Sequence, residues 1–154
     1  MAPPAPILIL GIGNILRKDD GVGVRAVEAL RERGVPPSVE LVDGGTLGLG
    51  LVDVIACREK AIVIDALEGG GEPGALYRIS AEDLGAETGP VLSVHDFGLE
   101  AALALAGRLS CAPRATVIFG VEPGDVSEGL ELTPAVAAAI PALLDIVLAE
   151  LARG

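Results

Sequence analysis

Five short, mainly apolar runs punctuate the chain, at residues 7–11, 39–43, 61–65, 75–79 and 116–121. Between them lie stretches with helical spacing, at 21–33, 46–56, 97–108 and 133–152. The last opens with Thr133-Pro134, an N-cap residue followed by proline at the first helical position. Near-continuous apolar strands alternating with helices predict a mainly parallel, twisted sheet covered on both faces. The run at 75–79 and the irregular stretch after it predict an antiparallel edge strand and a long loop. The expected fold is a single three-layer α/β/α domain over residues 1–154, with about five strands.

In such sheets the binding crevice lies beyond the carboxyl ends of the strands, where strand order reverses. That rule selects Asn14, Asp19 and Asp20 after the first run and Asp43 after the second. It adds Asp65, expected at the end of the third run, and Glu122 after the last. The only histidine, His95, sits in a loop just before a helical stretch, close to Ser93. Two residues apart in a loop is poor geometry for a nucleophile and its base, so Ser93 is set aside.

The glycine-rich turn GIGNILRKDDGVGV, residues 11–24, lies where many α/β proteins hold a phosphate. The dinucleotide fingerprint needs a third glycine where this chain has Leu16, and a P-loop needs Ser or Thr where Lys18 is followed by Asp19. Two carboxylates at a helix start suit the helix dipole but repel a phosphate. They could cap the following helix, at about 1 kcal/mol for an N-cap Asp. Alternatively, one caps while the other points into the crevice as ligand or base. Asp65 favours the second possibility, because an unpaired carboxylate on an apolar strand is costly to bury. It could instead bond backbone amides of a neighbouring loop. Two carboxylates and an imidazole from three loops could hold a divalent transition metal with open positions.

Composition changes this picture mainly by exclusion. The 154 residues are 51% hydrophobic with only 2% aromatic, so the core is built from Ala, Val, Leu and Ile. With 22 acidic against 11 basic residues and a net charge of −11, nucleic acids and anionic membranes are unsuitable partners. No apolar run is expected to approach membrane length. Cys57 and Cys111 are far apart in sequence, and each reads as a buried apolar thiol suited to a reducing compartment. A cytoplasmic monomer is expected.

The segments GIGNILRKDDGVGVRAVEAL (11–30), VDGGTLGLGL (42–51), AIVIDAL (61–67), SVHDFGL (93–99) and FGVEPGDVSEGLELTPAV (119–136) together resemble the hydrogenase maturation endopeptidases. The likeness runs from about residue 7 to 151 and implies the α/β/α fold. It implies removal of a C-terminal extension from a nickel–iron hydrogenase large-subunit precursor after nickel insertion. By position, the family's metal-binding residues fall on Asp20, Asp65 and His95, which would complete the coordination of nickel supplied by the substrate and take the catalytic role. Some relatives carry Glu where this chain has Asp20. Asp19 is then left as helix cap. Asn14 and Asp43, with Gly44 and Gly45, are the expected substrate-positioning residues. A non-catalytic nickel-checking chaperone would use the same residues. Peptidyl-tRNA hydrolase also has a GxGN turn, but it places a histidine soon after it where this chain has Ile15-Leu16.

Overall fold

The computed structural model describes residues 4–46, 50–80, 91–92 and 96–153. In chain order the elements are β1 (Ile7–Ile12), a 3-10 turn (Lys18–Gly21), α1 (Val22–Arg33), β2 (Val39–Gly45), α2 (Leu51–Ile55) and β3 (Lys60–Glu68). There follow β4 (Leu76–Ser80), β5 (Val91–Leu92), α3 (Asp96–Arg108), β6 (Ala115–Val121) and α4 (Pro134–Leu151).

The sheet runs β2-β1-β3-β6-β4. The first four strands are mutually parallel, and β4 is the expected antiparallel edge strand, paired with β6. β5, which the sequence did not suggest, adds a two-residue antiparallel pairing on β3. Strand β1 lies between its two successors, so strand order reverses at the β1/β3 boundary.

Side-chain alternation divides the core into two layers. Ile9, Ile62, Ile64, Val117 and Phe119 pack against α1 and α4. Leu8, Leu10, Val63 and Ile118 face α2 and α3. This is the expected α/β/α sandwich, built around Phe119 and aliphatic side chains. Strand β3 is fully buried from Ala61 to Leu67, as a central strand covered on both faces must be.

Three expectations need correction here. Strand β3 continues three residues past Asp65, because Asp65 and Ala66 pair with Gly120 and Val121 while Leu67 and Glu68 pair with β5. Helix α4, with 18 residues and a mean hydropathy of 1.8, does have the length and composition of a membrane span. Part of its apolar face is committed to the core, since Val136, Leu143, Leu144 and Val147 are buried against the sheet. Finally, Cys57 and Cys111 are not isolated buried thiols. They form a disulfide with a Cα–Cα distance of 4.7 Å, Cys57 exposed and Cys111 half-buried. The cysteines therefore no longer argue for a reducing compartment.

At the opposite end of the sheet from the strand carboxyl termini, Glu150 of α4 is 3% exposed and ion-paired to Lys60 at 2.6 Å and Arg78 at 2.8 Å. The Arg78 hydrogen bond, with Lys60 outweighing the cost of burial, lowers the Glu150 carboxyl to about 2 from an ordinary 4.5. Its stabilising contribution is complete above the ordinary value and is lost as pH falls through the lowered one.

Glu150→Gln should cost roughly 2–3 kcal/mol at neutral pH, less than a fully buried pair because Arg78 is partly exposed. Urea unfolding should show the gap between variant and parent narrowing by a pH of about 3.5. Reducing the disulfide, whose cysteines are 54 residues apart, should lower stability by up to about 4 kcal/mol on the chain-entropy account. Thermal melts with and without reductant, alongside a thiol titration, measure this.

Candidate functional site

The site grows from the loop after β1. Gly13 adopts φ +135°, and a Cβ there would collide with the Asp20 carbonyl oxygen. A Cβ at Gly23 would strike the carbonyl oxygens of Ile12 and Ile64. The glycines therefore let the loop fold down on itself and let the first turn of α1 press onto β3 one residue before Asp65.

Within this turn Asp20 is 5% exposed, and its Oδ2 accepts a 3.0 Å hydrogen bond from the Asn14 amide. Asn14 Oδ1 in turn accepts from the Leu16 amide at 2.9 Å, and the Asp20 amide donates to Arg17 O at 3.0 Å. Asp65 is fully buried on the neighbouring strand, with Oδ1 accepting from the Ala66 amide at 2.8 Å. By strand alternation with Val63, it projects toward the layer containing α2 and α3. Asp20 thus follows β1 and Asp65 lies on β3, the two strands that flank the reversal of strand order.

Asp19 does something the sequence did not disclose. It is fully buried but makes no capping bond to the helix that follows it. Its carboxylate instead accepts from the amides of Gly124, Asp125 and Thr133 and from the Thr133 hydroxyl, all between 2.7 and 3.0 Å. The expected helix cap is therefore a clasp between the β1–α1 and β6–α4 loops. Thr133, correctly read as the residue before α4, spends its hydroxyl on this clasp rather than on capping. Backbone bonds Lys18–Gly129, Asp19–Asp125 and Gly129–Leu16 reinforce the junction, as does the Lys18–Asp125 ion pair at 2.9 Å. Since β3 lies between β1 and β6, the clasp joins loops from both neighbours of the strand that carries Asp65.

Glu122 is likewise committed to structure. Its Oε1 accepts from the Tyr77 hydroxyl at 2.7 Å and from the amides of Gly69 and Gly71. Burial alone would raise its carboxyl, but the Tyr77 hydroxyl and the loop amides outweigh it and hold the group below the ordinary range. Asp19 and Glu122 therefore fix loops, while Asp20 and Asp65 lie at the switch point.

Asn14, Asp43 and Gly45 line one cavity of about 280 Å³, together with Gly13, Ile15 and Thr46. Asp43 Oδ1 accepts from the Gly45 amide at 2.9 Å, while Gly45 O accepts from the Gly13 amide at 2.9 Å and fixes one loop against the other. Gly44 is buried, its Cα backing onto Leu10 and Leu51, so it supports this wall without lining it. His95 and Ser93 lie outside the described residues. Among the described residues no group of three His, Cys, Asp or Glu side chains forms a metal site. The donor set formed by Asp20 and Asp65 has the right chemistry for a divalent ion, since ionised carboxylates are acceptor-only with about four lone-pair sites each.

A three-layer domain with two buried acids at its switch point defines a class that comparison with known proteins makes specific. The sequence model of the hydrogenase maturation protease family matches residues 24–150. The hydrogenase expression/formation protein HupD of Bradyrhizobium diazoefficiens is 40% identical over 150 residues, 96% of this chain and 78% of that protein. The hydrogenase maturating endopeptidase HybD from E. coli superposes with a TM-score of 0.88 at 37% identity, covering 96% of this chain and 92% of that one. The NiFe hydrogenase maturation protease HybD from Thermococcus kodakarensis gives a TM-score of 0.73 at 29% identity, covering 92% and 95%. The chain belongs to the hydrogenase maturation protease family. An endopeptidase role follows from that membership.

Asp19→Ala would strand three backbone amides and a hydroxyl in a buried junction. It should cost about 3 kcal/mol or more, measured by denaturant unfolding. An alanine variant as stable as the parent would show that the clasp is dispensable.

Proposed function

We propose that this protein removes a C-terminal extension from the large-subunit precursor of a nickel–iron hydrogenase after nickel has been inserted. Nickel belongs to the substrate, and the protein recognises it through Asp20, Asp65 and His95. The observation that carries this reading is the placement of two buried carboxylates, Asp20 and Asp65, on either side of the β1/β3 switch point. It is supported by the name of the Thermococcus kodakarensis relative, which specifies a NiFe hydrogenase. Carboxylate and imidazole donors suit a divalent transition ion.

The proposed division of labour follows from where each group sits. Asp20 is presented by a loop whose shape Asn14 holds through the bond from its amide to the Asp20 carboxylate. Asp65 is presented by the central strand, and so offers a fixed reference against which the loop acid works. Asn14, Asp43 and Gly45 line the adjoining cavity and position the substrate chain beside the bond to be cut. Nickel brought by the substrate and held by Asp20, Asp65 and His95 would supply Lewis-acid polarisation of the scissile carbonyl or a lowered water pKa, with a carboxylate-activated water as the alternative route to hydrolysis. A buried acidic crevice of this kind is ill suited to phosphate and well suited to a cation presented by another protein.

The test is processing of a hydrogenase large-subunit precursor with and without nickel loaded. Cleavage should require nickel, and Asp20→Asn, Asp65→Asn and His95→Ala should each reduce it by about 100-fold or more, as expected when a metal-binding group is removed. Asp20→Asn keeps size and neutralises charge, so its thermal melt should stay close to that of the parent. Tight binding of the loaded precursor without any cleavage would instead favour the nickel-checking chaperone.

A further inference from the structure

Beside the acidic site lies a second groove, of about 690 Å³, that the proposed chemistry does not use. It runs between the two clasped loops, and Asn14, Leu16, Arg17, Gly129 and Leu130 are among its lining residues. Leu16 is 59% and Leu130 63% exposed, a large apolar exposure for two side chains lining one groove. These leucines are not on slack loops. Arg17 and Gly129 form a β-bridge between them, the Gly129 amide donates to Leu16 O, and Arg25 Nη2 donates to Leu130 O at 3.0 Å. The clasp thus holds both leucines facing water at a continuing cost that a purely structural role does not explain.

The rim matches this floor. In a chain of net charge −11, the two charged residues lining the groove are of opposite sign, Arg17 and Glu128. The groove is therefore less acidic than the molecule around it and suits an uncharged apolar segment. It is also continuous with the reactive region, because Asn14 and Leu16 line both this groove and the cavity beside Asp43. Asn14 is in turn bonded to Asp20.

We infer that Leu16 and Leu130 form a subsite for an apolar side chain of the substrate polypeptide on one side of the cleaved bond, and that they help select which precursor is cut. This rests on the endopeptidase reading above. An endopeptidase must hold its substrate chain on both sides of the scissile bond, and the acidic pair can engage only the reacting centre. The subsite binds a neighbouring residue and so contributes mainly to affinity.

The test uses the intact protein and its nickel-loaded cognate precursor. Leu16→Ser combined with Leu130→Ser should raise KM by about tenfold or more while kcat changes by less than about twofold, the pattern of lost uniform binding. Both side chains are exposed, so the thermal melt should be unchanged. A complementary series leaves the protease untouched and replaces apolar precursor residues flanking the cleaved bond with Asp, one at a time. One position should raise KM, and Leu130→Lys should partly restore cleavage of that precursor. Unchanged KM in the double variant, or no sensitive position in the substrate series, would overturn the subsite while leaving the protease reading intact. Failure of the parent protein to cleave the loaded precursor would instead overturn the reading on which the subsite rests.

Discussion

The carboxylate of Asp19 is the constraint on which the site depends. A fully buried charge must be compensated, and four donors from the β6–α4 loop do this. Satisfying that charge brings together two loops that are more than 100 residues apart in sequence. It fixes the height of the β1–α1 loop over the sheet, and with it the position of the next residue, Asp20. Two adjacent, identical side chains therefore have opposite duties. One is saturated by the protein's own amides, and the other is held at the strand switch by the turn that the first one anchors.

Much of this architecture could be read in the chain. The apolar runs gave the parallel strands and the irregular fourth run gave the antiparallel edge, because burial on both faces leaves a continuous hydrophobic signature. The glycine-rich turn also has a packing role, since Gly13 and Gly23 permit close backbone approach that a side chain would block. What stayed hidden was long-range. Nothing local to Asp19 indicates that its partners are Gly124, Asp125 and Thr133, and a helix-start aspartate looks the same whether it caps its own helix or clasps another loop. The disulfide was missed for the same reason, its cysteines being 54 residues apart and adjacent only in the fold.

Glu122 and Asp65 show the converse. Both met the same rule, a carboxylate at or just beyond an apolar strand, yet only the surroundings separate them. Glu122 faces a glycine-rich turn whose amides and Tyr77 hydroxyl take up its acceptor capacity. Asp65 lies within the ladder, opposite Gly120, on the strand shared by both halves of the sheet. Position after a strand selects candidates; the available donors decide which ones are spent on structure.

The continuation of β3 beyond Asp65 has a consequence for motion. Its backbone is laddered to β6 at Asp65 itself and to β1 up to the preceding residue, so amide exchange around Asp65 would demand opening of the central sheet. Asp20 is carried by a turn whose backbone is bonded to the β6–α4 loop and whose neighbour Asp19 is clasped there, so its position depends on that junction. The two acids therefore owe their positions to different restraints, one to the strand ladder and the other to the junction of two loops. Local opening of the loop junction would shift Asp20 while Asp65 stays laddered in the central sheet.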